Sequence, residues 1–543
     1  MVSPGKQSFM KGAAILGVAA FITKLLGAVY KIPYQNITGN TGMFVYQQVY
    51  PLYSTLLTIA TAGFPIAVSK LVSEQLAQGN ELGARRVFRI AAGILSAAGI
   101  LLFVILYGCA PVLASWMGSR QLLTLPIRSV SFALLVVPVM SAIRGYFQGY
   151  QNMTPTAVSQ VMEQGIRVIT ILVLAWWFMT TGAGVIYAGA GAVFGAFTGA
   201  VAGLFVLLFY WRRIRKQELS VQKAGVPLQS AEPKPLGILV RQLVVLSIPI
   251  SLGALVLPLF SLADSFTVAN LLEVGGYTQE AAVEGKGVYD RGQPLIQFAS
   301  FFATALSLSI VPAIAEAQVR RDERTTAERS VLALRLTLLM GFPASVGLFL
   351  IAQPTNVMLY RDAAGSDALA ILAMTTLFST LALTSSGILQ GLGQVVLPAF
   401  NLLVGVAVKL VGNGLLVPPL GIQGAAIATV VGYGAAAALN LMALRRRMGS
   451  LFRLGSAKLP LAGAVFLMGG AVWLTVQGVL WLVQDWGLRL SMSVASISGV
   501  LMGGIVYSSA LLLMKVIQRQ ELERVPKVGT RLIPILERLR LLK

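Results

Sequence analysis

Residues 90–108 read IAAGILSAAGILLFVILYG, a run without one charged side chain. A helix that crosses the hydrocarbon core of a bilayer needs roughly 20 mostly apolar residues, so this run is long enough to span a membrane. Similar apolar segments lie at 12–29, 43–72, 87–108, 122–147, 157–180, 184–209, 239–262, 292–315, 330–352, 368–391, 395–418, 421–444, 458–484 and 489–515. The pattern predicts an all-α polytopic membrane protein with 14 transmembrane helices, numbered here as spans 1 to 14.

The composition agrees with this prediction and argues against an enzyme. Of the 543 residues, 56% are hydrophobic and 11% are charged, whereas soluble domains carry about 25% charged residues. The chain has no histidine and a single cysteine, Cys109, which excludes an intramolecular disulfide, a thiolate metal cluster and a histidine-based catalytic triad. It also contains no glycine-rich loop of the Walker type. We therefore expect a transporter without metal or organic cofactor, which uses at most a monovalent cation or a proton as a coupling ion.

The net charge of +22 follows the topology of a membrane protein. With 14 spans and both termini in the cytoplasm, 31 lysines and arginines fall on the cytoplasmic side and 7 on the outer side. Cytoplasmic loops of membrane proteins are enriched in these residues, so the charge needs no nucleic acid as a partner. We expect a multi-pass protein of the cytoplasmic membrane with both termini inside.

The longest polar insertion divides the chain into two halves of six spans each. The predicted boundaries are 1–210 for the first lobe with spans 1–6, 211–238 for a cytoplasmic linker, 239–445 for the second lobe with spans 7–12, 446–515 for spans 13 and 14, and 516–543 for a basic cytoplasmic tail. The linker is polar and contains prolines, as is typical of a flexible connection.

Short motifs recur between the two halves and indicate an internal duplication. The recurring residues are Gln148, Gly149 and Pro155 in the first half and Gln390, Gly391 and Pro398 in the second. The two glutamines are 242 residues apart, and a second match, Gly184 with Gly421, has an offset of 237 residues. Two parallel six-helix repeats are typical of alternating-access transporters, so the six recurring residues are candidates for structural or gating roles.

Ionisable side chains at membrane depth are costly and therefore mark candidate functional sites. Lys24 lies in the middle of span 1, where it either binds an anionic substrate or extends to the interface with water. Arg291 opens span 8 directly after Asp290. Its guanidinium offers the bidentate geometry that phosphate accepts, but an interfacial anchor or a local pair with Asp290 explains it as well. Lys24, Arg291 and Arg144 together would line a cationic cavity suited to a large anion.

Two further positions bear on ion coupling. Glu163 and Arg167 are spaced i, i+4 in span 5, so they either neutralise each other on one helix face or take part in coupling. Asp264, near the end of span 7, is another carboxylate suited to a cation or a proton.

Several motifs resemble the MurJ/SpoVB branch of the polysaccharide and lipid-linked oligosaccharide exporters, which are relatives of the MATE transporters. The motifs are Thr23-Lys-Leu-Leu-Gly27, Tyr46-Gln-Gln-Val-Tyr-Pro51, Gly63-Phe-Pro-Ile-Ala-Val-Ser-Lys70, Arg144-Gly-Tyr-Phe-Gln-Gly149, Pro155-Thr-Ala-Val-Ser-Gln160 and Tyr289-Asp-Arg-Gly-Gln-Pro294. All of them lie before residue 295, and the layout of spans extends the resemblance over the whole chain.

The resemblance implies two MATE-like lobes around a cationic cavity, with spans 13 and 14 forming a groove for a polyprenyl tail. It implies a flippase that moves lipid II, or a related undecaprenyl-pyrophosphate-linked glycan, across the bacterial cytoplasmic membrane. The implied partners are the lipid-linked oligosaccharide, membrane lipids and cell-wall synthesis enzymes. The cavity arginine of span 8 in this family matches Arg291, and the basic residue of span 1 matches Lys24.

The chain departs from the pattern of the Gram-negative MurJ proteins at three places. The second arginine of span 1 falls at Tyr30, with Lys31 adjacent, and the glutamate after the span 8 arginine is Pro294. The paired arginines of span 2 fall in residues 57–60, which are uncharged. These departures leave the cargo and the coupling ion open, and they make Lys31 a further candidate for substrate binding.

Three other classes of function remain open on the sequence alone. A MATE-like, cation-coupled exporter of drugs or other small molecules would have a net acidic cavity, whereas the charges assigned to this cavity are basic. A glycan polymerase would carry catalytic carboxylates in a large outer loop, and the acidic residues of the largest predicted one, 264–290, look like a solvated face. A scaffold for wall-synthesis enzymes would not transport at all.

Overall fold

A computed structural model describes residues 9–223, 235–297, 314–449, 458–514 and 516. Within these ranges every regular element is a helix, which confirms the all-α fold. Residues 224–234 of the predicted linker, residues 298–313 of predicted span 8 and the predicted tail beyond residue 516 lie outside the described residues.

The described helices fall into two series along the chain. Before residue 292 they are α1 (Phe9–Val29), α2 (Lys31–Thr61), α3 (Phe64–Ala77), α4 (Glu81–Gly108), α5 (Ala110–Trp116), α6 (Arg120–Ser131), α7 (Ala133–Gly149), α8 (Thr154–Thr180), α9 (Val185–Lys223), α10 (Leu236–Val274) and α11 (Gln279–Asp290). Beyond residue 322 they are α12 (Glu323–Leu350), α13 (Ala352–Tyr360), α14 (Ser366–Ala373), α15 (Thr375–Gly391), α16 (Val396–Leu420), α17 (Ile422–Met448), α18 (Lys458–Leu482) and α19 (Leu488–Leu513).

The long helices are apolar enough to cross a membrane. Among the described residues, 11 stretches qualify by length and hydropathy, and the first of them, Ala14–Ala77, has 64 residues. It contains part of α1 and the whole of α2 and α3. Its 64 residues at about 1.5 Å each give roughly 96 Å of helix, far more than the ~30 Å of a hydrocarbon core, so it supplies more than one crossing. A multi-pass membrane protein is therefore confirmed, and these helices are consistent with the 14 predicted spans.

Predicted span 2, residues 43–72, is not one helix, because α2 ends and α3 begins around Gly63. A Cβ added at Gly63 would lie 2.1 Å from the carbonyl oxygen of Ser247 on α10. The backbone N–H of Gly63 also donates to Oγ of Ser251 at 3.0 Å. Helix α10 thus passes so close to the break that only glycine fits there.

The internal repeat is visible in the helix boundaries. Helices α4 and α12 both contain 28 residues, and their N-cap residues are Asn80 and Asp322. Each cap side chain accepts a hydrogen bond from the backbone N–H three residues ahead, at 2.8 Å for Asn80 and 2.9 Å for Asp322. The residue before each cap is left-handed, with φ of 72° at Gly79 and 55° at Arg321. Two equal helices therefore begin with the same local geometry.

The turn after α7 also matches the turn after α15. In each turn two N–H groups donate to carbonyls three and five residues back, at 2.9 and 3.1 Å in the first turn and at 2.9 Å for both bonds in the second. Gln151 and Gly393, at equivalent positions, have positive φ of 57° and 80°. The helix that follows carries Pro155 or Pro398 in its first turn. These shared turns support a duplication.

The described residues form two compact units. One consists of Met1–Pro294 with Asn413–Gly421, and the other of Leu295–Gly412 with Ile422–Lys543. In the first unit the core is built around fully buried side chains of α2 and α7, such as those of Phe44 and Phe147. In the second unit a core cluster joins α12 to α18 and α19.

Side-chain amides in the first unit cap the end of α5. The carbonyl groups of residues 116–118 each accept one amide N–H, from Asn270 at 2.6 Å, from Gln48 at 2.7 Å and from Gln279 at 3.2 Å. The last carbonyls of a helix have no partner within the helix. These amides therefore satisfy the exposed carbonyls and tie the end of α5 to α2, α10 and α11.

Candidate functional site

Five ionisable side chains of the first unit are buried at or around Asp290, among them Arg291, which follows Asp290 directly in the chain, and we call them the buried charge cluster. They are Lys31, Asp264, Lys286, Asp290 and Arg291, and none is more than 3% exposed. Asp290 interacts electrostatically with Lys286, Asp264 and Lys31. Three of the five are cationic and two are anionic, so the ionised cluster has a positive excess. Such an excess in a buried place favours a negatively charged ligand.

Helix α11 positions three members of this cluster. Lys286 and Asp290 are one helical turn apart, and Nζ of Lys286 lies 2.6 Å from both carboxylate oxygens of Asp290. Because both side chains are buried, each supplies the counter-charge that the other needs. Arg291 follows as the C-cap of α11. Asp290 therefore has a cationic partner on its own helix, and Arg291 is held at the end of that helix.

Arg291 is bonded to Asn40, which lies on α2. Its Nε donates to Oδ1 of Asn40 at 2.9 Å, and its Nη2 donates to the same oxygen. Nε2 of Gln35 donates to that oxygen as well, at 3.1 Å. Nδ2 of Asn40 donates in turn to Oε1 of Glu284, at 3.3 Å. One edge of the guanidinium is thus occupied by a neutral amide oxygen.

Two glycines allow Asn40 to approach α11. Gly39 has φ of 70° and ψ of −167° and breaks the helical geometry inside α2, and this conformation is essentially confined to glycine. Opposite to it, a Cβ added at Gly287 would lie 2.1 Å from the backbone carbonyl oxygen of Asn40. A side chain at Gly287 would push the two segments apart, so the contact between Arg291 and Asn40 depends on both glycines.

Asp264 is held by neutral donors. Its Oδ2 accepts from the hydroxyl of Tyr289 at 3.0 Å, and its Oδ1 accepts from Nδ2 of Asn413 at 3.2 Å. Asn413 also donates to Oγ1 of Thr267 at 2.8 Å. Buried charges are normally hydrogen-bonded in this way. Each oxygen of the carboxylate can accept a further bond, so a cation that binds at Asp264 would share it with these donors.

A second network in the first unit contains Glu163, Arg144 and Arg167. Oε1 of Glu163 lies 2.7 Å from Nη2 of Arg167, one turn later in α8, and Oε2 lies 2.9 Å from Nη2 of Arg144 on α7. Nε of Arg144 donates to Oγ of Ser159 at 3.0 Å. The i, i+4 spacing thus brings Glu163 and Arg167 into contact, and Arg144 joins the same carboxylate. This arrangement ties α7 to α8.

The predicted substrate-binding residues lie in three different places. Arg291, Asp290 and Lys31 belong to the buried charge cluster. Arg144 lies in the network around Glu163, and the side chain of Lys24 is exposed on α1. Lys31 therefore interacts with Asp290, which directly precedes Arg291 in the chain, while Lys24 and Arg144 lie outside this cluster.

The predicted structural or gating residues lie at the two equivalent turns of the repeat. Gln148 and Gly149 end α7 and Pro155 begins α8, while Gln390 and Gly391 end α15 and Pro398 lies in the first turn of α16. A Cβ added at Gly149 would lie 2.6 Å from Cγ1 of Val72 on α3. In this structure Gly149 thus permits close packing of α7 on α3.

Four residues that belong to the cluster or bond to it were not singled out as site residues by the sequence, namely Asn40, Lys286, Tyr289 and Asn413. Lys286 was detectable, because its i, i+4 spacing to Asp290 is the spacing of an ion pair on one helix face. The two asparagines carry no comparable signal, since each is a neutral amide whose partner in the cluster lies far away in the sequence.

Comparisons with known proteins find relatives along nearly the whole chain. Residues 9–318 match the family described as polysaccharide biosynthesis protein. The uncharacterized membrane protein YabM of Bacillus subtilis (strain 168) is 36% identical over 528 residues, which cover 97% of this chain and 96% of that protein. The lipid II flippase MurJ of the same organism is 29% identical over 522 residues, which cover 92% of this chain and 94% of that protein.

Among solved structures, a multidrug resistance MATE family transporter of the MOP superfamily in an inward-facing conformation has the same fold. The TM-score is 0.64 at 14% sequence identity, and the match covers 81% of this chain and 98% of that chain. Identity at this level supports the fold alone. The MATE-like helical architecture predicted from the sequence is therefore confirmed.

Proposed function

Because the chain belongs to the polysaccharide biosynthesis protein family, we propose that it is a flippase for a lipid-linked cell-wall precursor. Its cargo is an undecaprenyl-pyrophosphate-linked glycan, either lipid II or a related molecule, which it moves across the bacterial cytoplasmic membrane by alternating access. A relative that matches along most of its length is named a lipid II flippase, which supports this class of cargo. The family and the MATE-like fold confirm the prediction that the chain is not an enzyme.

The observation that carries the proposal is the burial of Arg291 in a cluster with a positive excess. A pyrophosphate carries several negative charges, and the planar fork of a guanidinium matches its oxygens. Lys31 adds a second buried cation, while Asp290 is already neutralised by Lys286 at 2.6 Å. With three cations against two carboxylates the cluster keeps a positive excess, which suits a lipid pyrophosphate and opposes a cationic drug.

The roles of the other candidate residues follow from their positions. Lys24, exposed on α1, is assigned to a first contact with the cargo. Glu163 and Asp264 are the carboxylates at which a monovalent cation or a proton would couple to transport. At Glu163 the ion would compete with two guanidinium groups, while at Asp264 it would share the carboxylate with an amide and a hydroxyl. This competition favours a driving force that needs no bound ion.

The membrane potential is such a driving force. A potential of 100 mV contributes about 2.3 kcal/mol for each elementary charge that crosses the membrane. A cell interior that is negative relative to the outside repels an anionic cargo outward. Cationic side chains that shield the pyrophosphate in transit lower the cost of taking its charge through the low-dielectric core.

The proposal is tested in bacteria depleted of their own lipid II flippase. The native chain should restore outward-facing lipid II, measured by extracellular labelling or cleavage, and Arg291→Ala should abolish the restoration. Arg320→Ala serves as the control, because Arg320 is 74% exposed and pairs only at the surface with Glu316, so it should restore lipid II like the native chain. Membrane expression is measured for each form.

Each result has a defined meaning. A native chain that is well expressed and exposes no lipid II contradicts lipid II as the cargo. A related glycan lipid, a MATE-like small-molecule exporter or a scaffold for wall-synthesis enzymes then becomes the better account. Restoration that survives Arg291→Ala keeps the flippase function and contradicts the assignment of Arg291 to the pyrophosphate.

A further inference from the structure

The Oδ1 atom of Asn40 is surrounded by more donors than a neutral oxygen satisfies. Nε and Nη2 of Arg291 both donate to it, and so does Nε2 of Gln35 at 3.1 Å. A carbonyl oxygen has two lone pairs, whereas ionised oxygens form the shorter and stronger bonds with guanidinium groups. This set of donors therefore suits an oxygen with more negative charge than the amide oxygen of Asn40 carries.

The two guanidinium nitrogens bonded to Asn40 are also the ones that a phosphate engages. Nε and Nη2 lie on one edge of Arg291 and donate side by side, as they do in bidentate arginine–phosphate pairs. Asn40 binds this edge with a single oxygen, while a phosphate presents two. Asn40 and a phosphate group therefore compete for the same edge of Arg291.

The backbone around Asn40 permits it to leave that edge without unfolding a helix. Gly39 already interrupts the helical geometry of α2, and glycine has a wide range of accessible backbone angles. The amide nitrogen of Asn40 donates to Glu284 in a bond that is 3.3 Å long and lies at an exposed position. The helical piece before the break begins at Lys31, so a movement at Gly39 also repositions a second cation of the buried charge cluster.

We propose that Asn40 is a positioning residue that occupies the phosphate-binding edge of Arg291 in the absence of cargo and is displaced when a pyrophosphate group binds. This inference rests on the proposed function, because it takes Arg291 as the group that binds the pyrophosphate. Asn40 holds the guanidinium in the orientation that the phosphate needs and keeps it paired while the site is empty. The cost of this pairing is a lower affinity for the cargo.

The size of the effect follows from competition. When only a fraction of molecules has Arg291 released, the apparent dissociation constant rises by the inverse of that fraction. Hydrogen bonds to a charged group change a binding constant by roughly tenfold or more. Removal of the Asn40 side chain should therefore tighten the binding of a pyrophosphate by about tenfold.

The test measures the dissociation constant of farnesyl pyrophosphate for the full chain purified in detergent. Asn40→Ala should bind about tenfold more tightly than the native chain. Asn40→Asp should bind about tenfold more weakly, because a carboxylate competes better for the guanidinium and repels the pyrophosphate. Arg291→Ala should lose binding. Asn270→Ala, which removes an amide bonded to backbone carbonyl groups of Trp116 and Phe266, should leave the affinity unchanged.

The opposite signs expected for the two Asn40 variants separate this role from a purely structural one. If Asn40→Ala and Asn40→Asp both weaken binding, the side chain serves only the folded structure and the proposal is overturned, while Arg291-dependent binding by the native chain leaves the proposed function standing. If the native chain shows no binding that depends on Arg291, both the displacement of Asn40 and the assignment of Arg291 to the pyrophosphate fall.

Discussion

Asn80 and Asp322 are 242 residues apart and begin two helices of the same length. Each side chain accepts the backbone N–H three residues ahead, and each helix has 28 residues. The two residues differ in charge but supply the same acceptor oxygen. Duplicated halves can therefore keep the starting points of their helices through an acceptor at the N-cap, even where the side chain itself has changed.

Asn80→Ala should lower the stability of the protein by about 1 kcal/mol, because the first turn of α4 loses its cap. The measurement is the thermal midpoint of unfolding in detergent. Asn80→Asp keeps the acceptor oxygen and loses only the bond from Nδ2 to Gln75, which is 2.8 Å long. It should therefore retain most of the stability, and an equal loss in both variants would show that the cap is not the source.

Glu163→Gln should destabilise the protein strongly, because it leaves Arg144 and Arg167 without their shared carboxylate. Loss of one partner of a buried ion pair costs about 3–5 kcal/mol. The control is Glu316→Gln, whose pair with Arg320 is 57% and 74% exposed and worth about 0–1 kcal/mol. The two thermal midpoints should differ clearly, and similar midpoints for both variants would contradict the structural role of Glu163.

Lys286→Met and Asp290→Asn should each destabilise the protein, and the double variant should lose less stability than the sum of the two single losses. Each single change leaves a buried charge without its counter-charge, while the double variant removes both charges. A double-mutant cycle on thermal stability should give a coupling of about 1–3 kcal/mol. Additive losses would mean that the 2.6 Å contact between these two side chains contributes nothing to stability.

Gly287→Ala should cost about 1–3 kcal/mol by overpacking, because the new methyl group would lie 2.1 Å from the carbonyl oxygen of Asn40. The matched control is Gly165→Ala in α8, where a Cβ meets nothing within 4 Å. That variant should be as stable as the native chain or more so. A Gly287→Ala protein with native stability would show that Asn40 and α11 separate at little cost.

The sequence predicted the helical fold well because the bilayer imposes length and apolarity on every span. It failed where tertiary contacts interrupt a span. Residues 43–72 are mostly apolar, with Gly63 and Pro65 as the local signals of a break, but nothing local reveals that α10 approaches Gly63 so closely. The same holds for Gly39, whose unusual backbone angles are announced by no local motif.

The candidate site was predictable to the extent that it consists of charges. Arg291 and Asp290 were singled out because charged groups are rare and costly at membrane depth, and Lys31 because it adjoins the position of an arginine in the family pattern. Their neutral partners were not singled out, since burying an asparagine costs little free energy once its amide is hydrogen-bonded. Asparagines are also common outside binding sites. Asn40 becomes significant only in the folded structure, where it contacts Arg291, which lies 251 residues later in the chain.

The side-chain amides that cap α5 determine how the contacts of α5 with α2, α10 and α11 respond to salt. Gln48, Asn270 and Gln279 bind backbone carbonyls, so no partner in these bonds is ionised. Dissolved ions screen exposed charge pairs over distances of about 10 Å at 0.1 M salt, but dipoles in direct contact escape this weakening. The hydrogen bonds between α5 and its neighbouring helices should therefore be equally stable at low and at high salt concentration.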